Sequence, residues 1–468
     1  MSENKSDPSF LFGGNRGRAL IARLSTLMGP ATSLRGHLVR GGLGSLAFKL
    51  GSTALSFILA LLLARTLGPE GYGVYAFVLA VVSLLAIPTQ LGLPELVVRE
   101  TSKAQATGHW GLMRGLWRWS TLAVWLFSSF VLCIALFSLR AFADQLTALT
   151  HATLVAAMWL VPLIALGNLR GAALQGLRHV VLSQLPEHIF RPGLLIFLWL
   201  AVLVVLPAQT LSAATAMGIH ALAAAIAFVL GAWLLWRALP VELASRPAPV
   251  YAARAWLLSA LPLGLAAGVQ VINAQSGVLL LGLFRTDEAV GTYKVALAVA
   301  TLIPFGLMAV NVVVMPYFAR LYAQDDRVRL QRLVTVSARV VLGLALPVTF
   351  VFVFYGEWFL STAFGQDYAA GHTALAILAL GQLVNAGMGS VGVLLNMTGH
   401  ERDTLRGVAI AAVTDLVLGL VLIPPFGLVG AALATATTLV IWNLLLRQAV
   451  WRRLRIETMA FGSRRTYS

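Results

Sequence analysis

The chain has 468 residues, of which 59% are hydrophobic and only 11% charged, and its mean hydropathy is +0.84. This composition lies well outside the range of soluble globular domains, so it predicts a polytopic membrane protein and excludes a soluble enzyme. The net charge of +16 would suit a nucleic-acid-binding protein, but the placement of the charges along the chain points elsewhere.

Twelve apolar stretches are long enough to cross a bilayer, which takes about 20 residues each. They begin near residues 46, 74, 119, 152, 189, 212, 262, 295, 340, 373, 404 and 428. With the N-terminus inside, this topology puts thirty of the 34 lysines and arginines on the inner side and leaves Arg65, Arg140, Arg285 and Lys294 outside. Such an imbalance is the positive-inside signal. The basic charge therefore reflects topology and contact with anionic lipid, not a nucleic-acid groove.

The predicted order of segments is a basic cytoplasmic tail (1–44), a six-helix lobe (45–236), a cytoplasmic linker (237–254), a second six-helix lobe (255–450) and a second basic cytoplasmic tail (451–468). We expect both termini on the cytoplasmic side of a bacterial inner membrane. The first tail is either a surface-lying amphipathic helix or disordered. The single cysteine, Cys133, lies inside the third predicted span, so an intramolecular disulfide and a cysteine-based metal site are excluded.

The two predicted lobes contain an internal repeat. An offset of 218 residues aligns Leu61–Leu84 with Leu279–Leu302, and it pairs Gly73 with Gly291 and Tyr75 with Tyr293. A weaker match further along has an offset of 223 residues. Because each half has an even number of predicted spans, both copies start on the same side of the membrane. This pattern is typical of parallel-repeat transporters, whose substrate path lies between the halves.

A conspicuous motif lies at the end of the first span. The run from Ala64 to Tyr75 reads ARTLGPEGYGVY, and it includes a Gly-Pro-Glu-Gly cluster that predicts a turn on the outer side. Leu91-Gly92-Leu93 and then Arg99-Glu100 follow it. These residues resemble the opening of the polysaccharide flippase family, within the multidrug, oligosaccharidyl-lipid and polysaccharide exporter superfamily. The resemblance implies two six-helix lobes around a central cavity and export of an isoprenoid-linked oligosaccharide from the inner leaflet.

Polar residues recur on one face of the first predicted span. Lys49, Ser52 and Ser56 are spaced by three and four residues, which places them on one side of a helix. We expect this face to line the cavity, with Lys49 either contacting phosphate or extending to the inner boundary as an ordinary snorkelling lysine. Gln270 and Asn273 form a similar stripe in the seventh span, which either lines the cavity or joins helices by hydrogen bonds.

Further candidates come from cations and amides elsewhere in the spans. Arg65, Arg285 and Lys294 are predicted at the outer ends of the lobes, where they receive or release the head group or are plain solvated loop charges. Asn311 in the eighth span is a candidate substrate contact or a structural amide, and Asn168 and Asn385 are of the same kind.

Two acidic positions stand apart from the others. Asp415 lies near the middle of the eleventh predicted span, where a carboxylate is costly and is by default functional. It is a candidate for H⁺ or Na⁺ coupling, against a neutral helix contact or a paired charge. Glu187 and Arg191 have the spacing of an intrahelical ion pair and are interpreted as anchors at the inner boundary of the fifth span.

The sequence therefore predicts a flippase for isoprenoid-diphosphate-linked oligosaccharide that works by alternating access in surface polysaccharide biosynthesis. It predicts no enzyme activity, no metal and no cofactor beyond a coupling ion. Expected partners are the glycan substrate and membrane lipids, with a polysaccharide polymerase and glycosyltransferases in the same process. The alternatives are a cation-coupled multidrug exporter of the same superfamily, an integral-membrane glycosyltransferase or polymerase, and a scaffold for a synthesis complex.

Overall fold

A computed structural model of the chain describes residues 34–205, 207, 211–245 and 247–461. The chain divides into two units, Met1–Gly51 and Ser52–Ser468. Most of the predicted N-terminal tail, and the end of the predicted C-terminal tail from residue 462, lie outside the described residues. In the first unit, residues 34–51 are helical.

The described residues are almost entirely helical and include no β-strand. The helices are α1 Leu34–Gln90, α2 Leu93–Thr107, α3 Trp110–Ala141, α4 Ala148–Ala157, α5 Leu160–Gly176, α6 Val180–Leu185, α7 Arg191–Val205, α8 Ala213–Arg237, α9 Val241–Ala244, α10 Ala253–Phe284, α11 Asp287–Ala300, α12 Phe305–Ala323, α13 Arg327–Phe354, α14 Gly356–Phe364, α15 His372–Met388, α16 Val391–Met397 and α17 Glu401–Leu454. A π-helical turn, Pro186–Phe190, joins α6 to α7. Short 3-10 turns cover Ala143–Gln145 and Gln366–Gly371.

Ten helices in the described part of the chain are long and apolar enough to cross a membrane. The all-helical membrane fold predicted from the sequence is therefore confirmed, whereas the count of twelve spans stays a prediction. Two of the ten, Phe48–Gln90 and Glu401–Leu454, have 43 and 54 residues. At about 1.5 Å per residue, each is roughly two to three times as long as a hydrocarbon core of about 30 Å requires.

Both long helices contain one residue with non-helical geometry. Gly68 in α1 has φ 68° and ψ 175°, and Gly427 in α17 has φ 53° and ψ −123°. Only glycine adopts such angles without strain, because it has no Cβ. Prolines accompany both glycines, Pro69 directly after the first and Pro424 and Pro425 shortly before the second. The predicted turn around Gly68 is therefore a one-residue kink rather than a loop.

The predicted eighth span is interrupted. Helix α11 begins at Asp287, where the Thr286 hydroxyl accepts a hydrogen bond from the backbone N–H of Ala289. It ends at Ala300, and α12 begins at Phe305, directly after Pro304. Proline has no N–H to donate to the preceding turn. Helix α11 thus begins eight residues before residue 295, where the apolar stretch predicted its start. As a result, Lys294 lies two turns into the helix.

The N-terminal half of the second unit (residues 52–236) meets the C-terminal half (255–461) at a pair of glycines. A Cβ on Gly73 would overlap the carbonyl oxygen of Asp287, and a Cβ on Gly291 would overlap that of Pro69. Gly73 and Gly291 are equivalent in the repeat, and so are Pro69 and Asp287. The contact is therefore reciprocal, as expected where a pseudo-two-fold axis passes between two copies. It lies beside the kink at Gly68, on the side that the sequence predicts to be outside.

The halves also contact each other at two further places. A hydroxyl-to-carbonyl hydrogen bond of 3.0 Å runs from Tyr368 in the C-terminal half to Ala64 in the N-terminal half. At the other end of α1, a Cβ on Gly92 would overlap the backbone of Gly264 and Ala260 in α10. Buried side chains of both halves belong to one hydrophobic cluster. The two halves are therefore packed together both near the kink at Gly68 and at the C-terminal end of α1.

Residues 455–461, which follow α17, are held in place by hydrogen bonds. Arg447 donates two hydrogen bonds of 3.0 and 2.9 Å to the Glu457 carboxylate, and the backbone N–H of Ala460 donates to the carbonyl of Gly387. Burial alone would raise the pKa of Glu457, but the Arg447 guanidinium and the backbone N–H groups of Met459 and Thr458 lower it below its usual value. This segment therefore packs against the C-terminal half.

Candidate functional site

A cavity of about 630 Å³ lies between the two halves of the second unit. Helices α1, α5, α7, α8 and the π-helical turn line it from the N-terminal half, and α10 and α11 from the C-terminal half. Much of the wall is apolar, with polar groups set into it, which is the usual character of a small-molecule site. Its polar members are Ser52, Thr53, Ser56, Tyr72, Tyr75, Ser83, Asn168, Glu187, His188, Arg191, His220, Gln275, Lys294 and Thr301.

Each half contributes one cation to this wall, Arg191 and Lys294. Arg191 pairs with Glu187 at 3.0 Å, one helical turn away. Lys294 has no ion-pair partner among the described residues. With Glu187 also paired to a third residue, Arg170, these four side chains carry a net positive charge. The arrangement can attract and hold an anion between the two halves.

Arg170 fixes Glu187 from behind the wall. One guanidinium nitrogen of Arg170 lies 3.1 Å from the Glu187 carboxylate, and the other lies 2.7 Å from the carbonyl oxygen of Phe228. The side chain is only 5% exposed, and it has room because Gly231 carries no side chain where the guanidinium packs. A buried carboxylate needs such a partner to remain charged.

The backbone around Glu187 is a widened helical turn. The N–H of Arg191 donates to the carbonyl oxygen of Pro186, five residues earlier. Prolines at 186 and 192 both lack an N–H, so regular α-helical bonds are interrupted on each side of the turn. π-Helical turns often occur at functional sites. Here the turn puts Glu187, His188 and Arg191 on the same cavity wall.

Two hydrogen-bonded pairs complete this wall. The Tyr75 hydroxyl lies 2.7 Å from Nδ1 of His220, and the Asn168 side-chain amide donates to Gln90 at 2.9 Å. His220 is 6% exposed. Because these groups satisfy one another, the wall keeps its shape without a ligand.

Asp415 lies in a second polar cluster, which is not part of the cavity lining. It is 5% exposed and accepts a hydrogen bond from the Ser276 hydroxyl of α10. The Thr438 hydroxyl lies close to the carboxylate but makes no hydrogen bond of good geometry. Close by, the Tyr293 hydroxyl lies 2.9 Å from that of Thr435. The described residues offer this carboxylate hydroxyl groups and no cation.

The residues predicted in the first and seventh spans lie in different places. Ser52 and Ser56 line the cavity, as their helical face indicated. Lys49 belongs to the first unit, where its side chain is exposed. Gln270 and Asn273 are outside the cavity lining, and Gln275 lines it instead. The spacing identified a polar stripe on α10, but it did not identify the side of that helix that faces α11.

Arg65 and Arg285 bind helix ends rather than the cavity wall. Arg65 donates to the carbonyl oxygen of Thr362 at 3.0 Å, and Arg285 donates to those of Ile423 and Pro424 near the kink at Gly427. Asn311 is half-buried in α12, and its side-chain oxygen has no hydrogen-bond partner among the described residues. The substrate-binding roles predicted for these three residues remain predictions.

The structure gives two groups of charged residues a setting that the sequence did not indicate. Lys294 was predicted in an outer segment but lines the cavity, because α11 begins at the Thr286 cap and not near residue 295. The Thr-Asp-Glu sequence at the start of α11 is a helix-start signal that would have revealed this. Glu187 and Arg191 form the predicted ion pair, yet they lie on the cavity wall rather than only anchoring a boundary.

Near the contact at Gly73, the acidic residues Glu70 and Asp287 come from opposite halves. Burial, and to a smaller extent the negative charge of Glu70, raises the pKa of Asp287. The deprotonated form of Asp287 is therefore disfavoured when the halves are in contact here.

Comparisons with known proteins agree with this architecture. The family model described as "Polysaccharide biosynthesis protein" matches residues 38–322. A probable low-salt glycan biosynthesis flippase, Agl15 of Haloferax volcanii, is 24% identical over 168 residues, and the match spans about a third of each chain (36% of both).

Solved transporter structures share the fold at low sequence identity. An inward-facing multidrug resistance MATE family transporter of the MOP superfamily superposes with a TM-score of 0.70 at 13% identity, over 86% of this chain and 94% of that one. The lipid II flippase MurJ in an inward closed conformation gives 0.62 at 14% identity, over 86% and 87% of the two chains.

Proposed function

This chain belongs to the polysaccharide biosynthesis protein family, and on that premise we propose that it is a flippase for a lipid-linked oligosaccharide. The observation that carries the proposal is the cavity between the halves, which Arg191 of one half and Lys294 of the other both line. In this proposal the protein is a transporter and not an enzyme. Its cargo is an isoprenoid diphosphate that bears the glycan.

The diphosphate is the part of such a cargo that most needs protein. Charged groups do not cross a hydrocarbon core of about 30 Å unaided. Arginine and lysine bind phosphate by charge-assisted hydrogen bonds, and two phosphoryl groups can engage Arg191 and Lys294 together. Ser52, Ser56 and Asn168 supply hydroxyl and amide groups for sugar on the same wall.

Transport would proceed by alternating access. The contact around Gly73 and Gly291 joins the halves next to Tyr72 and Tyr75, which line the cavity. In this proposal the halves separate there to release cargo on that side. Rigid packing of two glycines favours such a two-state contact, because packed interfaces do not deform continuously. We propose that this conformation accepts the head group from the inner leaflet. A bacterial inner membrane with both termini inside stays a prediction, as do a polymerase and glycosyltransferases as partners.

We propose that Asp415 couples transport to a cation, H⁺ or Na⁺. Within the described part of the chain, the buried carboxylate has hydroxyl neighbours and no cation beside it, so a proton or a small cation would neutralise it. Helices α10 and α17 both contribute to this cluster, so occupancy of the cluster would affect how they pack. α10 also lines the cavity through Gln275, which connects the cluster to the substrate site.

A multidrug exporter is the alternative that the shared fold favours. Organic cations need an acidic or aromatic pocket that is free to bind them. In this cavity the one acidic residue of the described wall, Glu187, already pairs with two arginines. The net positive charge of the wall therefore favours an anionic cargo.

Mass spectrometry of lipid extracts from a strain that lacks the gene tests the proposal. We expect a complete oligosaccharide on its isoprenoid carrier to accumulate, together with loss of the surface polymer. Wild-type protein and the exposed-cation control Lys103→Gln should reverse the accumulation, whereas Arg191→Gln and Lys294→Gln should reverse it only in part. Incomplete oligosaccharides, or an unchanged lipid profile with increased drug sensitivity, would contradict the proposal.

A further inference from the structure

We infer that a groove at the C-terminal end of α17 binds an anionic phospholipid of the surrounding bilayer, with an acyl chain against apolar side chains and the phosphate at Arg452. The groove has a volume of about 470 Å³ and shares no lining residue with the cavity between the halves. The inference therefore does not depend on the proposed cargo. The lining residues are Ile441, Leu444, Leu445, Arg447, Gln448, Trp451, Ile456 and Glu457.

The wall that α17 provides changes from apolar to basic along one face of the helix. Ile441, Leu445 and Gln448 follow one another at spacings of four and three residues, and Arg452 comes four residues later. Side chains at these spacings lie on the same face of a helix. Trp451 borders the same end, and tryptophan is enriched where hydrocarbon meets water. The order of groups on this face, apolar, amide and guanidinium, therefore matches the order of acyl chain, ester and phosphate in a phospholipid.

The second wall is the segment that follows α17, and the protein itself holds it in place. The Glu457 carboxylate accepts two hydrogen bonds of 3.0 and 2.9 Å from Arg447. Gln331 of α13 donates to the carbonyl oxygen of Glu457 at 2.7 Å and accepts a hydrogen bond from its N–H at 2.8 Å. Ile456 is fully buried. The groove is therefore formed before a ligand binds, which lowers the entropic cost of binding.

Arg452 supplies the positive charge that a ligand can use. Arg447 is paired with Glu457, and Arg453 is paired with Asp403 at 2.9 Å. Arg452 is exposed and forms no ion pair within the described part of the chain. Guanidinium groups bind phosphate by charge-assisted hydrogen bonds. An uncompensated positive charge thus lies at the end of an apolar groove.

The apolar part and the charge together define the class of ligand. A free phosphate ion would use Arg452 and leave the apolar part empty, whereas a zwitterionic lipid would bring its own positive charge close to the guanidinium. Leu444 is 44% exposed, so the apolar part is open to the hydrocarbon of the bilayer. Basic side chains beside a membrane span attract anionic head groups. An anionic phospholipid is therefore the ligand that satisfies both parts of the groove.

Photo-crosslinking of the purified full-length protein in nanodiscs tests the inference. The probes are phosphatidylglycerol and phosphatidylcholine with the same diazirine-bearing acyl chain, each diluted in unlabelled phosphatidylcholine. Digestion and mass spectrometry identify the labelled peptides, so the groove is measured separately from other lipid contacts. We expect phosphatidylglycerol to label residues 441–456 about fivefold more than phosphatidylcholine does, which is the contribution of one basic side chain near a membrane surface.

Three variants test how the groove distinguishes the two lipids. Arg452→Gln should abolish the preference for phosphatidylglycerol, and it should not disturb the fold because Arg452 is exposed and unpaired among the described residues. Lys103→Gln removes an exposed cation from the N-terminal half and is the matched control, which should leave the preference unchanged. Leu445→Trp should lower labelling by both lipids, because the larger side chain fills the apolar part.

Two results would overturn the inference directly. One is equal labelling of residues 441–456 by the two probes in the wild type, and the other is an unchanged preference in Arg452→Gln. Excess inorganic phosphate provides a further test. If it prevents labelling by phosphatidylglycerol, the site recognises the free anion and the inference is wrong; if the labelling persists, the lipid is the ligand.

Discussion

The two halves share an internal repeat, yet they differ in how their buried carboxylates are paired. In the N-terminal half, Glu187 pairs with Arg170 and Arg191 beside the cavity. In the C-terminal half, Asp415 is buried away from the cavity and contacts hydroxyl groups. At the offset of 223 residues, Asp415 aligns with Pro192, the neighbour of Arg191. Nearly equivalent positions of the repeat therefore carry charges of opposite sign, and these charges have different neighbours.

The difference has a direct physical consequence. A carboxylate with two guanidinium partners is neutralised by the protein itself, whereas one that only hydroxyl groups contact requires a proton or cation from outside. The first arrangement leaves a surplus positive charge for an anion, and the second leaves a surplus negative charge for a cation. The repeat thus provides the scaffold for two different sites.

Breaking the N-terminal cluster should have the largest effect. We expect Arg170→Met to lower the free energy of unfolding by about 3–5 kcal/mol, because it leaves the buried Glu187 with one partner and removes the hydrogen bonds to the carbonyl oxygens of Ala227 and Phe228. Thermal unfolding in detergent measures this, with Lys103→Met on the surface as control. Adding Glu187→Gln should recover part of the loss, and a loss below about 1 kcal/mol for Arg170→Met would contradict the buried pairing.

The contact that joins the halves should be next in size. Gly73→Val places a side chain where the Asp287 carbonyl lies, so we expect it to disfavour this conformation by about 1–3 kcal/mol, as overpacking does. Spin labels at Gln145→Cys and Gln366→Cys, in a Cys133→Ser background, should show a longer distance between the halves. Gly218→Ala meets no neighbouring atom and should leave the distance unchanged; an unchanged distance in Gly73→Val would refute the contact.

Removing the lone carboxylate tests the other half of the comparison. If Asp415 binds a cation, Na⁺ at about ten times its dissociation constant, or an equivalent drop in pH, should stabilise the wild-type protein by about 1.4 kcal/mol. Asp415→Asn should abolish that stabilisation. The experiment compares melting temperatures in Na⁺ and in choline at equal ionic strength, then across pH. Retention of both responses in the variant would count against coupling at Asp415.

The smallest effect concerns pH at the contact between the halves. Since burial and Glu70 raise the pKa of Asp287, the contact is most stable when Asp287 is protonated, and it weakens as pH rises through that pKa. We expect a change below about 1 kcal/mol, because the group is partly exposed and solvent screens it. The same spin labels, read from mildly acidic to neutral pH, should show the distance increase in wild type and not in Asp287→Asn. The reverse trend would contradict the sign.

Much of the fold and part of the site were predictable from local pattern. Ser52 and Ser56 line the cavity because their spacing puts them on one helical face, and that face happens to turn inward. Gln270 and Asn273 share the same kind of spacing and do not line it. Periodicity shows that residues lie on one side of a helix, but the neighbour that this side meets depends on packing between helices.

The sequence by itself determined the membrane class, through composition, and the repeat, through residues such as Gly73 and Gly291 that recur at one offset. Tertiary structure alone decided that those two glycines touch, that Lys294 and Arg191 line one cavity, and that Arg170 pairs with Glu187. The reason is physical: hydropathy and spacing are properties of one segment, whereas an ion pair or a cavity depends on how separate segments are brought together.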